Sequence, residues 1–427
     1  MLYFLRKIYT YDKGEDMRET IEFGIGFVTG RANVCEIINS YYRNMIEQIE
    51  KFNKKVNITI FILYDIKYQS TKEEEFYNIN PCVYESSINI KYITYDIIKK
   101  EKEELISKGI INNDEAEVFF GYGHAKGRNS LMYFAKKFKI NYLLFWDDDE
   151  YPIANIKNKD GSIEWKLQDN LLVHLNNIEY ADVTSGYHCG YISPIPYVDY
   201  TNEISEESFR DYIESVSNDI ISWKSIKTKF EKDNGVTYAN KNIVNDGKIN
   251  EVKMRLGGKW IAGSTLCLNL NNIENIPAFY NPPGARGEDT FFATKLNNSK
   301  VIKVPVYHFH DGFLKYKEIM KSEYPCKLDK ISYNNEDIEK RFFKASIGWI
   351  KYKSLLIYIT KNKEYKQISE LIERKLLNSI PSMNKLFNNT DFYHILKQFK
   401  IYNNHVGKHY KEYLKTNRIW NKIKYIH

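Results

Sequence analysis

The chain has 427 residues, of which 43% are hydrophobic and 15% aromatic, with 35 tyrosines. That is enough apolar material for a large core with a smaller unit beside it, and it excludes a disordered or low-complexity protein. Net charge is +7 but unevenly spread: residues 315–427 hold 24 lysines and arginines against 11 aspartates and glutamates, and the rest of the chain holds 38 against 44.

An acidic front and a basic rear predict two units, 1–315 and 316–427. The five cysteines (Cys35, Cys82, Cys189, Cys267, Cys326) include no CxxC pair, so neither a disulfide framework nor a zinc site is expected. The opening MLYFLRKIYT carries too short an apolar run for a signal peptide, and no later stretch approaches the ~18 uncharged apolar residues of a membrane span. A soluble protein of a reducing, cytoplasmic compartment is expected, with nucleic acid not among its partners.

In chain order, EFGIGFVT (22–29) predicts a short buried strand, and a helical pattern follows from Cys35 to Ile49. NITIFILYD (57–65) is a second apolar run, ending in Asp65. After a polar, Lys/Glu-rich stretch, GYGHAKGRNSLMYFAKKFKI (121–140) predicts a glycine-rich turn opening a helix, and NYLLFWDDDE predicts a third strand. Strand and helix alternating at this spacing predict a doubly wound α/β sheet with a mostly parallel core, flanked by helices. Further on, a helix is expected near 166–178, a strand at 181–192, a charged helical insertion around 204–231 and strand character again over 257–270. NPPGARGEDTFFATKL (281–296) reads as a Pro/Gly loop running into a helix, KVIKVPVYHFHDGF (300–313) as a strand, and from 315 the pattern is helical.

In doubly wound sheets ligands bind at the carboxyl ends of the strands, where Thr29, Asp65 and the run Asp147-Asp148-Asp149 fall. Adjacent carboxylates repel one another unless something positive sits among them. Hard oxygen ligands at a strand end suit Mg²⁺ or Mn²⁺, which could in turn hold a diphosphate, although a solvated strand terminus has the same look. The turn before the 121–140 helix, with Lys126 and Arg128, offers backbone N–H groups and charge to an anion. Glu288 and Asp289 follow a Pro/Gly loop, so they are either a general base and its neighbour or an acidic first turn complementing a helix dipole. His308 and His310 share one strand face and are candidate metal ligands or packed residues.

Four of these features, taken in order, resemble the GT-A glycosyltransferases, particularly the large family-2-like group. They are FVTGRANV after the first strand, AKGRNSLMYFAKKFKINYLLFWDDD as an Arg-Asn helix leading to a DxD-type motif, GARGEDTFF as an ED motif, and VPVYHFHD as the late histidine. The resemblance covers roughly residues 20–313, and FILYDIKY departs from the family's usual acidic, Gly-Ser ending of the second strand. It implies an inverting transfer of a sugar from a nucleotide-diphosphate-sugar to an acceptor hydroxyl, with a divalent cation. By position, Thr29, Arg31 and Asp65 would contact the nucleoside and Arg128 the diphosphate side. Asp147, Asp148 and Asp149 would serve ribose and metal, His310 or His308 would complete the metal shell, and Asp289 would be the base, with Glu288 orienting the acceptor. The acceptor would be a carbohydrate, glycolipid or glycoprotein, and the segment 193–256 would form an insertion on the acceptor side.

Two other readings compete. A sugar-1-phosphate nucleotidyltransferase would carry a Gly-rich, basic phosphate loop directly after the first strand, of which TGRANV is a weak version. A non-catalytic glycan- or polyanion-binding protein would have no need of intact DDD, ED and HxH sets. The tail also reads two ways. HVGKHYKEYLKTNRIWNKIKYIH (405–427) puts Tyr410, Tyr413, Leu414, Trp420 and Ile423 near one helical side among Lys408, Lys411, Lys415 and Lys422. It either packs that side inward or lies on an anionic membrane, at its inner face, or on an anionic polymer.

Overall fold

Apolar runs without polar alternation are what a strand covered on both faces requires. Ile21–Thr29 (β1) and Val56–Tyr64 (β2) are such runs, and they pair in parallel from Ile21↔Val56 to Thr29↔Tyr64. The crossover is the helix Asn33–Glu50, which buries Val34, Ile37, Ile38, Tyr41 and Met45, one apolar stripe at helical spacing. Ile88–Tyr92 (β3) adds in parallel outside β2, and Tyr142–Phe145 (β4) adds in parallel on the other side of β1. This computed structural model describes residues 20–69, 71–200, 205–218 and 222–426.

Beyond β4 the chain contributes Glu150–Tyr151 (β5), Ile153–Lys157 (β6), Ile163–Leu167 (β7), Val183–Gly190 (β8), Asn250–Glu251 (β9), Leu266–Asn269 (β10) and Val301–His310 (β11). The main sheet runs β3-β2-β1-β4-β10-β8-β11-β5, with β9 also on β11; β6 and β7 form a separate antiparallel hairpin. The protein is α/β, but its sheet is mixed where a mostly parallel one was expected. β10 is antiparallel to both neighbours, and β5 and β9 are antiparallel to β11. Connection length is the reason. A parallel neighbour needs a crossover of about a dozen residues or more, usually a helix. The segment leading from β9 into β10 has no helix, and only residues 146–149 separate β4 from β5.

That short link also sets the site. Residues 146–149 leave the end of β4 and cross to the end of β11, where Glu150 pairs with His310. The three aspartates and the late histidine meet because of this crossing. Elsewhere the expected helix at 166–178 begins only at Asn170, after β7, and the 204–231 insertion is two helices, Glu206–Val216 and Trp223–Asp233; residues 201–204 and 219–221 lie outside the described residues.

After residue 315 the chain leaves the sheet for four long helices, Glu336–Thr360, Tyr365–Phe387, Tyr393–Asn404 and Val406–Ile423. Tyr212, Ile213 and Val216 of the insertion share a core with Leu376, Ile380 and Met383 of the second. The last helix returns to the sheet. Ile419, Trp420 and Ile423 join the core that contains Phe119, Leu143 and Leu268. Trp420 stacks on Phe119 with ring centroids 5.8 Å apart and its Nε1 donates to the carbonyl of Ile276 at 2.8 Å. Lys422 pairs with Glu115 at 2.5 Å and Lys415 with Asp114. The aromatic side of the tail is thus packed inward, while Lys408 stays exposed; His427 lies outside the described residues. No described helix is long and apolar enough to cross a membrane. Trp420→Ala should cost about 3–5 kcal/mol, the usual range for emptying a buried aromatic site. Urea unfolding checks this: an unchanged midpoint would mean the tail is not part of the cooperative core.

Candidate functional site

The aspartate run is tolerated because each carboxylate meets a different cation. Asp147 takes Arg128, whose Nη2 is 3.1 Å from its Oδ1. Asp148 accepts from both sides of the Arg31 guanidinium, with Nε at 3.1 Å, and from the Thr29 hydroxyl. Asp149 Oδ2 lies 2.9 Å from Arg31 Nη2, and its Oδ1 lies 3.7 Å from His310 Nε2. Thr29 and Arg31 follow directly from β1, whose parallel pairing with β4 brings the two strand ends together. Burial raises the Asp149 pKa, but His310 and Arg31 outweigh it and the net shift is down. For His310 burial pulls down, Asp149 pulls up, and the net shift is up. The Asp147 carboxyl is pushed up to about 7, first by burial and then by Glu150, Asp149 and Glu288 against Arg128. Its side chain still opens over 41% of its surface, so burial here means depth in a cleft rather than enclosure.

Arg128 connects the two acidic motifs. It sits on the helix His124–Lys137, held over the rings of Phe145 (4.8 Å) and Phe279 (5.7 Å), with Nη1 donating to the carbonyl of Gly263. Its Nε lies 3.4 Å from Glu288 Oε1. The next residue, Asn129, exchanges two hydrogen bonds with the backbone of Phe279, 2.8 and 2.9 Å, and so fixes the start of the segment that carries Glu288. Burial raises Glu288, but His124 and Arg128 bring it below the ordinary range. Asp289 differs. Its Oδ1 accepts from the backbone N–H of Thr290 at 2.7 Å, and among the described residues no cation pairs with it. Burial, then the neighbouring Glu288 charge, push it up to about 6.

The two histidines separate. His310 Nδ1 hydrogen-bonds the carbonyl of Tyr191 at 2.7 Å, which aims Nε2 at Asp149. His308 is fully buried beneath the run: its Nδ1 is 3.3 Å from Glu150 Oε2 and its ring 5.0 Å from Trp146. It belongs to a polar floor that the motif reading missed. There Glu150 also meets His188 at 3.1 Å and Ser264 at 2.5 Å. Asp65 stands at the end of β2, where its backbone N–H donates to Thr29 and its carboxylate accepts from the N–H of Lys67 at 3.0 Å.

Among the described residues no group of three or more His, Cys, Asp and Glu is arranged to hold a metal ion. The donor set suits a smaller share of a coordination shell. Asp149 Oδ1 and His310 Nε2 face one another, and a magnesium-type site commonly takes only one or two protein ligands, with substrate phosphates and water supplying the rest. Asp147 turns to Arg128 instead. The arrangement thus brings together Thr29, Arg31, Arg128, Asp147, Asp148, Asp149, His310, Glu288 and, through Arg128, Asp289. Comparison of the chain with protein-family models and with curated proteins returns no match.

Proposed function

We propose that the protein moves a sugar from a nucleotide-diphosphate-sugar to an acceptor hydroxyl with inversion, in a GT-A-type cleft. The observation that carries this is the Arg128 bridge, which sets the aspartate run and the Glu288–Asp289 pair on opposite sides of one guanidinium. An acceptor hydroxyl is a weak nucleophile and must lose its proton as the bond forms. Asp289 suits the role of base. It has no cation partner among the described residues, lies in the same cleft and sits at about 6, so it is mostly ionised at neutral pH yet basic enough to take the proton. Glu288, fixed by Arg128, orients rather than accepts. Thr29 and Asp65 would flank the nucleoside, Asp148 would hold Arg31 in place, and Arg128 would face the diphosphate side.

Asp149 and His310 would hold Mn²⁺ or Mg²⁺, with Asp147 beside them. When bound, the ion supplies a Lewis acid to the diphosphate oxygens. The acceptor would be a carbohydrate, glycolipid or glycoprotein met in the cytoplasm, or at the inner face of a membrane or on an anionic polymer through the exposed lysines of the tail. A nucleotidyltransferase leaves Asp289 without a role, because its nucleophile is already a phosphate oxygen. The test is release of nucleoside diphosphate from a panel of UDP-, GDP- and dTDP-sugars, with and without Mn²⁺. At least one sugar should be turned over in Mn²⁺; silence across the panel with every acceptor class overturns the reading.

A further inference from the structure

The floor of the cleft is lined with carboxylates that already have cations, yet two arginines on its opposite wall have no carboxylate. Arg341 leaves the helix Glu336–Thr360, outside the part of the chain that carries the motifs. Its guanidinium lies over the ring of Phe313 at 4.9 Å. A methyl group on Gly312 would come within 2.5 Å of Arg341 Nη2 and 2.9 Å of His310 Cε1. The absence of a side chain at 312 is what lets guanidinium and imidazole share that space. Arg286 precedes the acid pair by one residue. Its stem lies across Gly348 of the same helix, where a methyl would meet Arg286 Cγ at 2.9 Å, and its backbone N–H donates to the carbonyl of Gly348 at 3.3 Å.

Positions 341, 345 and 348 lie on one helix face, and Ala345 and Gly348 keep that face low enough for Arg286 to cross it. Among the described residues neither arginine forms an ion pair. Arg341 is attracted by Asp149 and repelled by Arg286 and Arg31, so all four are within electrostatic reach of one another. Guanidinium groups brought together without carboxylates between them are unfavourable alone and favourable around an anion, most of all around a phosphoryl group that their planar forks can grip.

We propose that Arg286 and Arg341, backed by Arg31, bind the distal phosphate of a nucleoside diphosphate, so that the basic C-terminal helices complete the cleft. The inference rests on the transferase reading and names a further part of its machinery. In the transfer the bond from the sugar to the phosphate oxygen breaks and its electron pair leaves on that oxygen. A new bond forms to the acceptor oxygen, whose proton goes to Asp289. Arg286 and Arg341 would then face the oxygen that gains charge, beside the Asp149–His310 pair.

Calorimetric titration in excess EDTA tests this on the full chain, comparing wild type with Arg341→Ala, Arg286→Ala/Arg341→Ala, Arg341→Lys and Gly312→Ala. The probes are UDP, GDP, the matching monophosphates and inorganic pyrophosphate, with thermal melting to show that each variant is folded. The double variant should bind the diphosphate and pyrophosphate at least about tenfold more weakly while the monophosphate changes less than about twofold, since each charge-assisted contact is worth on the order of 1.5–3 kcal/mol. Gly312→Ala should reproduce Arg341→Ala by displacing the guanidinium without removing it, and Arg341→Lys should fall between. Equal diphosphate affinity in wild type and double variant overturns the arginine assignment and leaves the transferase reading untouched. Arginine-dependent binding of pyrophosphate with no binding of any nucleotide supports an anion site at these residues and overturns the transferase reading instead.

Discussion

Asp289→Asn should lower the turnover rate by about 10²–10⁴-fold, the usual worth of a positioned general base, with affinity for the sugar nucleotide nearly unchanged. The substitution keeps the size of the side chain and the contact to Thr290 N–H, so a fall in rate reports lost basicity rather than lost shape. The wild-type rate should decline as pH drops through about 6, where Asp289 takes up its proton, and the variant should lose that limb of the profile. Stability moves the other way. The folded pKa is raised from 3.8 to about 6, so the folded state binds the proton more tightly and stability is lost as pH rises through that window. The neutral variant escapes this cost and should melt no lower than wild type at pH 7. A carboxylate that makes the protein less stable where it is ionised is one retained for another reason. The product from an α-linked sugar nucleotide should be β-linked; a retained anomeric configuration by NMR overturns the base assignment whatever the rate.

How far the sequence could be read follows from the range of each signal. β1, β2 and β4 were legible because a buried strand needs an apolar run and each run is local. The helix His124–Lys137 and the three aspartates were legible together because the helix feeds that strand directly. The direction of β10 was not, because pairing direction depends on how the connection closes and a coil of that length leaves it open. His308 and His310 look equivalent as an HxH pair, since alternation puts both on one strand face. What divides them is Glu150 and Trp146, which arrive from the β4–β5 link and bury the first histidine while leaving the second at Asp149. The basic rear read as a separate unit because charge is a property of composition. Its contacts, Trp420 against Phe119 and Arg341 beside His310, lie far apart in sequence, with no local pattern to announce them. One trace was there: an arginine followed at positions 345 and 348 by alanine and glycine marks a helix face kept low for a close neighbour.

Asp149→Ala should reduce transfer by about a thousandfold or more and remove any dependence of sugar-nucleotide affinity on Mn²⁺. The side chain is 8% exposed and carries two contacts, Arg31 on one oxygen and His310 on the other. Removing it leaves Arg31 still paired through Asp148, so β1 and the run stay joined. His310 and Arg341 would then face one another without the charge that offsets them, and the cleft would bind free anions better while doing less chemistry. Stability separates this from simple misfolding. The folded pKa of Asp149 is depressed, so its contribution is present above the ordinary carboxylate range near 4 and is lost as pH falls. The variant should therefore melt below wild type at pH 7, and the two should converge in acid, where wild type has lost the same interaction. Asp149→Asn should keep more of the melting temperature than of the rate, because its amide fills the space and reaches His310 but brings no charge to a metal. Full transfer by either variant in Mn²⁺, or by wild type in excess EDTA, would show that the charge of Asp149 serves the fold and not the reaction.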